Sequence, residues 1–336
     1  MAFINAFCNK GDEVVCFEPM FPNYLDHAEF AGGRVLGLPL SLEEGEWKYD
    51  SAALLAALKK PTSKVFLFNN PHNPTGKVFT RAELEEISAI LDQCPHVMVL
   101  SDEVYDFLTF DGLSHISFAS VGDNWNRTVT VYSGGKLLNA TGWKIGWTVG
   151  PQRLMHWGGV VSNTVYYCNN TPGQMAIAKA LDKIEQPGYN GTDLSFKQTT
   201  QALFQANRDL IINSVNEMKL PWKAVPLQGG YFVIADIRPC ADLIPEIYKT
   251  THDYEPEVEG QVPIGKNQLF MPDGRIPLDL AFCRWMAVEK GVVMMPSSFF
   301  CAADSPTITD YYARLAICMD PQSTEAALAR LRVALD

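Results

Sequence analysis

Three short segments hold the residue types able to do chemistry: Phe68-Asn-Asn-Pro-His-Asn-Pro-Thr-Gly76, Leu100-Ser-Asp-Glu-Val-Tyr105 and Tyr132-Ser-Gly-Gly-Lys136. Lys136 follows a strand-like run, Ser133 and two glycines, a tight turn from which a primary amine can reach into a cleft and form a Schiff base. Taken alone, it reads as an ordinary solvated lysine. Its neighbours change that balance. Asp102 ends the buried-looking run Val97-Met-Val-Leu-Ser101, where an unpaired carboxylate is costly without a cation or several donors. A protonated pyridine nitrogen would meet that need. Tyr105, three residues on, and Asn73, in a proline-bounded turn, offer neutral hydrogen-bonding groups suited to a phenolate oxygen, although Asn73 alone also reads as an Asx turn.

The elements that must position these residues follow an α/β pattern, with short β-branched and aromatic runs alternating with segments of helical period. Strands are predicted at 13–17, 34–38, 64–68, 97–101, 128–132 and 144–149. The three chemical segments then lie at the carboxyl ends of strands, where ligands gather in an open, mostly parallel sheet. Helices are predicted at 51–60 and from Thr80, where Glu83 completes a capping box and Leu84, Ile87 and Leu91 form an apolar face. Residues 174–220 read as helical with a break at 187–191. The strand-like run 230–237 opens a region with its own helices at 278–290 and 324–335. This places a domain change near residue 205, between a large domain (1–205) and a smaller α+β domain (206–336). The polar stretch 238–275, with several prolines and glycines, reads as a long loop or insertion. No internal repeat is visible.

Composition narrows the function classes. The chain has 336 residues, 47% of them hydrophobic, which suits a folded protein with a sizeable core. A net charge of −11 without any basic run argues against an electrostatic grip on nucleic acid or anionic lipid, leaving small molecules or protein as partners. The eight cysteines are scattered without CxxC pairs, as in a reducing compartment. No signal peptide and no membrane-length apolar run is evident, so the three Asn-x-Thr sequons read as chance. Gly-x-Gly-x-x-Gly after a strand, a P-loop, His-Glu-x-x-His and Gly-x-Ser-x-Gly are all missing, which disfavours NAD, nucleotide, zinc and serine-hydrolase chemistry; no metal site is expected.

The segments Asn70-Pro-His-Asn-Pro-Thr-Gly76, Ser101-Asp-Glu-Val-Tyr105 and Ser133-Gly-Gly-Lys-Leu-Leu-Asn-Ala-Thr-Gly-Trp-Lys-Ile-Gly-Trp147 resemble the class I/II pyridoxal-phosphate aminotransferases of fold type I. The resemblance spans nearly the whole chain. Within that group, residues 281–300 and Ser114-His-Ile-Ser-Phe-Ala-Ser120 are most similar to the branch containing kynurenine aminotransferase, glutamine transaminase K and cysteine-conjugate β-lyase. The resemblance implies pyridoxal 5'-phosphate as cofactor, held in the large domain. Lys136 would form its Schiff base and move protons, and Asp102 would keep the pyridine nitrogen protonated. Asn73 and Tyr105 would hold the ring oxygen, Ser133 and Lys144 the phosphate, and Phe21, in Glu18-Pro-Met-Phe-Pro-Asn-Tyr24, would stack on the ring. Arg314, in Tyr312-Ala-Arg-Leu-Ala-Ile-Cys318, would clamp the substrate carboxylate with a two-pronged ion pair. Tyr166 and Tyr167 correspond only loosely to side-chain-pocket residues, and Tyr231 reads as core.

Two features depart from the family pattern. Lys144 stands where family members often have arginine, so it supplies charge without a fork. Family members also carry roughly a hundred residues ahead of the position where this chain starts. Residues 1–11 resemble the tail of the helix whose start normally offers backbone donors to the phosphate. The expectation is therefore a truncated chain with an incomplete phosphate site, lacking also a partner-subunit tyrosine. The functional expectation is transfer of an amino group from an aromatic or sulfur-containing amino acid, kynurenine or glutamine among them, to a 2-oxo acid, by a cytoplasmic homodimer, with β-elimination from cysteine conjugates as a side activity. A mitochondrial location would follow if a missing N-terminus carried a transit peptide. The alternative is a truncated, weakly active or inactive relative that serves as a binding or assembly partner.

Overall fold

Six strands make the main sheet of the computed structural model, which describes residues 1–218, 220–250, 271, 273–302, 305 and 308–333. They are β1 (Glu13–Glu18), β2 (Arg34–Pro39), β5 (Ser63–Asn69), β6 (Met98–Asp102), β7 (Thr128–Ser133) and β8 (Gly146–Val149); a small hairpin of β3 (Ser41–Glu43) and β4 (Glu46–Lys48) follows β2. The order is β2-β1-β5-β6-β7-β8, parallel throughout except for the antiparallel β8. The strand sequences explain this: a parallel sheet is covered on both faces, so its strands are apolar almost without alternation. Val14, Cys16, Val65, Leu67, Met98 and Leu100 pack on one face with Phe3, Ile4, Ala28 and Leu154. Val15, Phe17, Phe66, Phe68, Val97 and Val99 pack on the other with Leu54, Leu58, Leu84, Ile87 and Leu91.

The first face is thus covered by α1 (Ala2–Phe7), α2 (Asn23–Phe30) and α6 (Gln152–Val165), and the second by α3 (Ser51–Leu58) and α4 (Arg81–Asp92). Asp50 caps α3 by accepting from the Ala52 and Ala53 amides at 2.8 and 3.0 Å. The capping box at α4 forms as its sequence requires, the Thr80 amide donating to Glu83 Oε2 at 2.8 Å and the Glu83 amide to Thr80 Oγ1 at 3.3 Å. A four-residue helix, α5 (Gly134–Leu137), and the longer α7 (Thr171–Leu181) and α8 (Phe196–Glu217) complete this half.

A second, antiparallel sheet has the order β11-β12-β10-β9, from β9 (Lys223–Ala224), β10 (Phe232–Asp236), β11 (Met295–Pro296) and β12 (Tyr312–Ala316). Helices α9 (Leu278–Lys290) and α10 (Pro321–Val333) pack on it through Phe282, Met286 and Leu328. α9 stops at Gly291, whose φ of +65° is the left-handed conformation that ends helices. The core of this sheet continues into the first half through Tyr105, Phe107 and Phe110. α8 runs unbroken through residue 205, and its Phe204, Ile211 and Val215 belong to that same core.

Three details differ from the sequence expectations. The strand predicted from residue 144 begins at Gly146, because Lys144 ends a 3-10 turn (Thr141–Trp143) with φ of +57°. The described part of the stretch predicted as a loop from 238 holds two 3-10 helices, Arg238–Leu243 and Glu246–Tyr248, anchored by buried Cys240, Ile244 and Tyr248. These apolar residues, four apart, are a weak periodic signal among polar neighbours; residues 251–270 and 272 of that stretch lie outside the described residues. The β3–β4 hairpin, whose strands are too short to show a period, turns on Glu44 and Gly45 at φ of +51° and +84°. Among the described residues no helix is long and apolar enough to cross a membrane.

Candidate active site

In the sheet order β1, β5, β6 and β7 are neighbours, and the segments at their carboxyl ends border one cavity of about 260 Å³. β1 leads to Phe21 and Tyr24, β5 ends at Asn69 and leads to Asn73, and β6 ends at Asp102 and leads to Tyr105. β7 ends at Ser133, three residues before Lys136; the opposite wall is Phe232 of β10 and Arg314 of β12. Phe21, Asn73, Asp102, Tyr105, Ser133, Lys136 and Arg314 therefore meet as the sequence expected. Lys144 does not border the cavity. It is exposed on the turn before β8, and its charge lowers the pKa of Lys136.

Local structure fixes each group. Asn69 Nδ2 donates to the Asp102 carbonyl at 2.8 Å, and the Asn73 amide donates to Asn69 Oδ1 at 2.7 Å, tying the ends of β5 and β6 and the loop carrying Asn73. Ser133 Oγ accepts from the Lys136 amide at 3.2 Å, capping the α5 turn. Gly135 is required there: a Cβ would lie 2.8 Å from Thr141 Cα, inside contact distance. The Tyr231 hydroxyl donates to the Lys136 carbonyl, and Lys136 Nζ sits 5.7 and 5.4 Å from the centroids of the Tyr105 and Tyr231 rings.

Asp102 accepts from the Tyr24 hydroxyl at 2.6 Å and from the Val104 amide at 3.4 Å. Its desolvation still raises its pKa, against those hydrogen bonds and the charge of Lys136. Desolvation lowers the pKa of Lys136, reinforced by the Arg314 and Lys144 charges, so the amine loses its proton more readily than an ordinary lysine. At the far wall Arg314 lies between Phe232 and Phe300, its Cζ 3.8 and 4.4 Å from their centroids. It donates to Asn73 Oδ1 at 3.0 Å and has no carboxylate partner among the described residues. Burial lowers its pKa to about 10.

Tyr24, Asn69, Phe232 and Phe300 were not anticipated as site residues. Only Tyr24 left a usable signal, since Asp102 needed donors and a tyrosine follows Phe21 by three residues. Tyr231 is buried in the core, as expected, yet also touches the Lys136 turn. Tyr166 and Tyr167 are 51% and 80% exposed at the end of α6 and do not border the cavity.

A lysine and a desolvated aspartate on adjacent parallel strand ends, within this sheet topology, define a pyridoxal-phosphate transferase of fold type I. The family model for aminotransferase class I and II matches residues 1–335, and the chain belongs to that family: it is a pyridoxal-phosphate-dependent transaminase. Kynurenine–oxoglutarate transaminase 1 of Mus musculus is 33% identical over 336 residues, covering 97% of this chain and 72% of its own length. Among solved structures, N-succinyldiaminopimelate aminotransferase from Mycobacterium tuberculosis is similar with a TM-score of 0.80 and 27% identity over 99% of this chain and 74% of its own. YbdL from Escherichia coli, described as having a methionine aminotransferase function, follows at 0.77 and 26% over 99% and 74%.

Proposed function

We propose that this transaminase takes the amino group from an aromatic or sulfur-containing amino acid, kynurenine and glutamine among the donors, and passes it to a 2-oxo acid, with β-elimination from cysteine conjugates as a side activity. The observation that carries the reading is the polarity of the cavity, with a desolvated carboxylate at one wall, an arginine between two phenylalanines and without a carboxylate partner among the described residues at the other, and a lysine amine beside them. The mouse relative, a kynurenine–oxoglutarate transaminase, and the Escherichia coli one, with a methionine aminotransferase function, support the two donor classes.

The residues fit the cofactor. Among the described residues Lys136 Nζ, the Tyr105 hydroxyl and Asn73 Nδ2 have no hydrogen-bond partner, although Tyr105 is 2% exposed, and they edge the same cavity as Asp102. Asp102 would hold the proton on the pyridine nitrogen, Asn73 and Tyr105 the ring oxygen, Ser133 the phosphate with Lys144 adding positive charge, and Phe21 one ring face. When bound, the cofactor supplies an electron-accepting ring for the pair left at Cα. Lys136 Nζ, with its lowered pKa, takes the Cα proton and is placed to return it. Arg314 receives the substrate carboxylate as a fork, replacing the anion its burial lacks. Loss of the Cα proton is shared by transamination and β-elimination, so a good leaving group on Cβ, rather than a separate site, selects the second outcome.

We also read the chain as a homodimer in a reducing compartment. Exposed Trp157, Val160 and Val165 on α6, beside Tyr166 and Tyr167, support the first, and eight free cysteines the second. Rates with a panel of amino donors test the substrate assignment: kynurenine, methionine, phenylalanine and glutamine should exceed aspartate and alanine. Preference for the latter pair overturns it, and absence of pyruvate from a cysteine conjugate removes the lyase activity.

A further inference from the structure

The chain from Ser297 to Ala302 crosses from the second sheet to the first, and it brings Phe300 onto Arg314. Its start is held by Asp279, in the first turn of α9 and wholly buried: Oδ2 accepts from Ser297 Oγ at 2.9 Å and the Ser298 amide at 2.7 Å, and Oδ1 from Ser298 Oγ at 2.9 Å. Its end is held by Glu18, the last residue of β1 and 2% exposed. Glu18 Oε1 accepts from the Ala302 amide at 2.8 Å and Oε2 from Ser305 Oγ at 2.7 Å. Between these anchors the Met20 amide donates to the Phe300 carbonyl at 2.5 Å, joining the segment to the loop that carries Phe21. The Glu18 carboxyl has room only because residue 37 of β2 is glycine: a Cβ there would lie 2.1 Å from Glu18 Cδ.

We propose that Glu18 is a positioning residue for the carboxylate clamp: by fixing Ala302 and Ser305 it holds the Phe300 ring against one face of Arg314, so that the guanidinium keeps the plane a carboxylate needs. Asp279 anchors the same segment from the other sheet. The physical basis is that Arg314 has no partner anion among the described residues, so its fork is aimed by the two rings and Asn73. A guanidinium free to tilt keeps its charge but loses the second of its parallel hydrogen bonds to a carboxylate. Glu18 itself touches neither substrate nor cofactor in this scheme, and it does not border the cavity.

The inference rests on the reading that Arg314 binds the substrate carboxylate, and the experiment separates the two. Holoenzyme carrying Glu18→Gln, Gly37→Ala or Arg314→Lys is compared with wild type in three measurements: binding of 3-phenylpropionate by calorimetry, KM and kcat for donor and acceptor, and cofactor per chain. Glu18→Gln is expected to weaken 3-phenylpropionate and to raise both KM values by about tenfold, with kcat and cofactor content held within about twofold. Gly37→Ala, which displaces an intact Glu18, should reproduce that pattern; it also decides the matter if Glu18→Gln does not fold. Arg314→Lys that leaves 3-phenylpropionate binding unchanged overturns the clamp reading itself. A large Arg314→Lys effect with Glu18→Gln and Gly37→Ala indistinguishable from wild type overturns the positioning role, as does a loss of kcat and cofactor in proportion to the rise in KM.

Discussion

The two walls of the cavity solve the problem of a buried charge in opposite ways. At the strand-end wall the Asp102 carboxylate is matched from within the protein, by the Tyr24 hydroxyl and the Val104 amide, and has Lys136 as a cationic neighbour. At the opposite wall Arg314 is packed between two rings and donates to one neutral amide, with no anion among the described residues. A buried charge without a counter-ion is expensive, so the second wall stores an affinity for an incoming carboxylate, whereas the first is poised to stabilise a cation beside it. The difference teaches that one wall is built for the reaction and the other for recognition, and the two should respond differently to mutation.

Asp102→Asn is the strongest way to break that division. Turnover should fall by about a thousandfold, because a neutral amide cannot hold a proton on a pyridine nitrogen, while 3-phenylpropionate still binds as in wild type. Loss of carboxylate binding in that variant would show the walls to be one unit. Arg314→Lys should do the reverse, lowering kcat/KM by roughly 10- to 100-fold for donor and acceptor alike through KM. Different losses for the two substrates would mean that they do not share the clamp. Tyr24→Phe sharpens the picture of the first wall: removing one of the donors to Asp102 should lower turnover about tenfold, less than Asp102→Asn, with no change in either KM. A rise in KM would place Tyr24 in recognition instead.

The smallest effect concerns the anchor of the second wall. Burial, helped by the Asp310 charge, raises the pKa of Asp279 from 3.8 to about 7, despite donors from Ser297 and Ser298. The native state thus keeps a proton that the unfolded chain releases near pH 4. This contribution to stability is complete below that value and is lost as the pH rises through 7. Among the described residues, the titratable groups facing Asp279 are Asp310, itself held by Arg275, and the Cys283 and Cys301 thiols, whose pKa values burial raises. Urea midpoints measured from pH 5 to 8 should fall with pH, and less steeply in Asp279→Asn. Equal slopes would assign the dependence to other groups.

The first wall was the legible one. Asn73, Asp102, Tyr105, Ser133 and Lys136 sit in short contiguous motifs directly after apolar strand runs, and a parallel sheet places such ends together whatever the rest of the chain does. The inner strands β1, β5 and β6 were readable because both faces are buried, and the caps at Asp50 and Thr80 obeyed local chemistry. The second wall depends on contacts across long separations. Phe300 and Phe232 are ordinary apolar residues in sequence, and nothing local shows that Glu18, at the end of β1, reaches residue 302. Lys144 is tied to the site by its place in the motif alone: it stands in a left-handed turn, exposed, and is not among the residues that border the cavity.

Lys136 is the residue on which both walls converge, and its covalent link to the cofactor is the most direct test. The chain, loaded with pyridoxal phosphate, would be reduced with borohydride, digested and mapped by mass spectrometry. One pyridoxyl group per chain is expected, on Lys136, with the visible absorbance of the loaded protein abolished by the reduction. Label on Lys144, or spread over surface lysines, would contradict it.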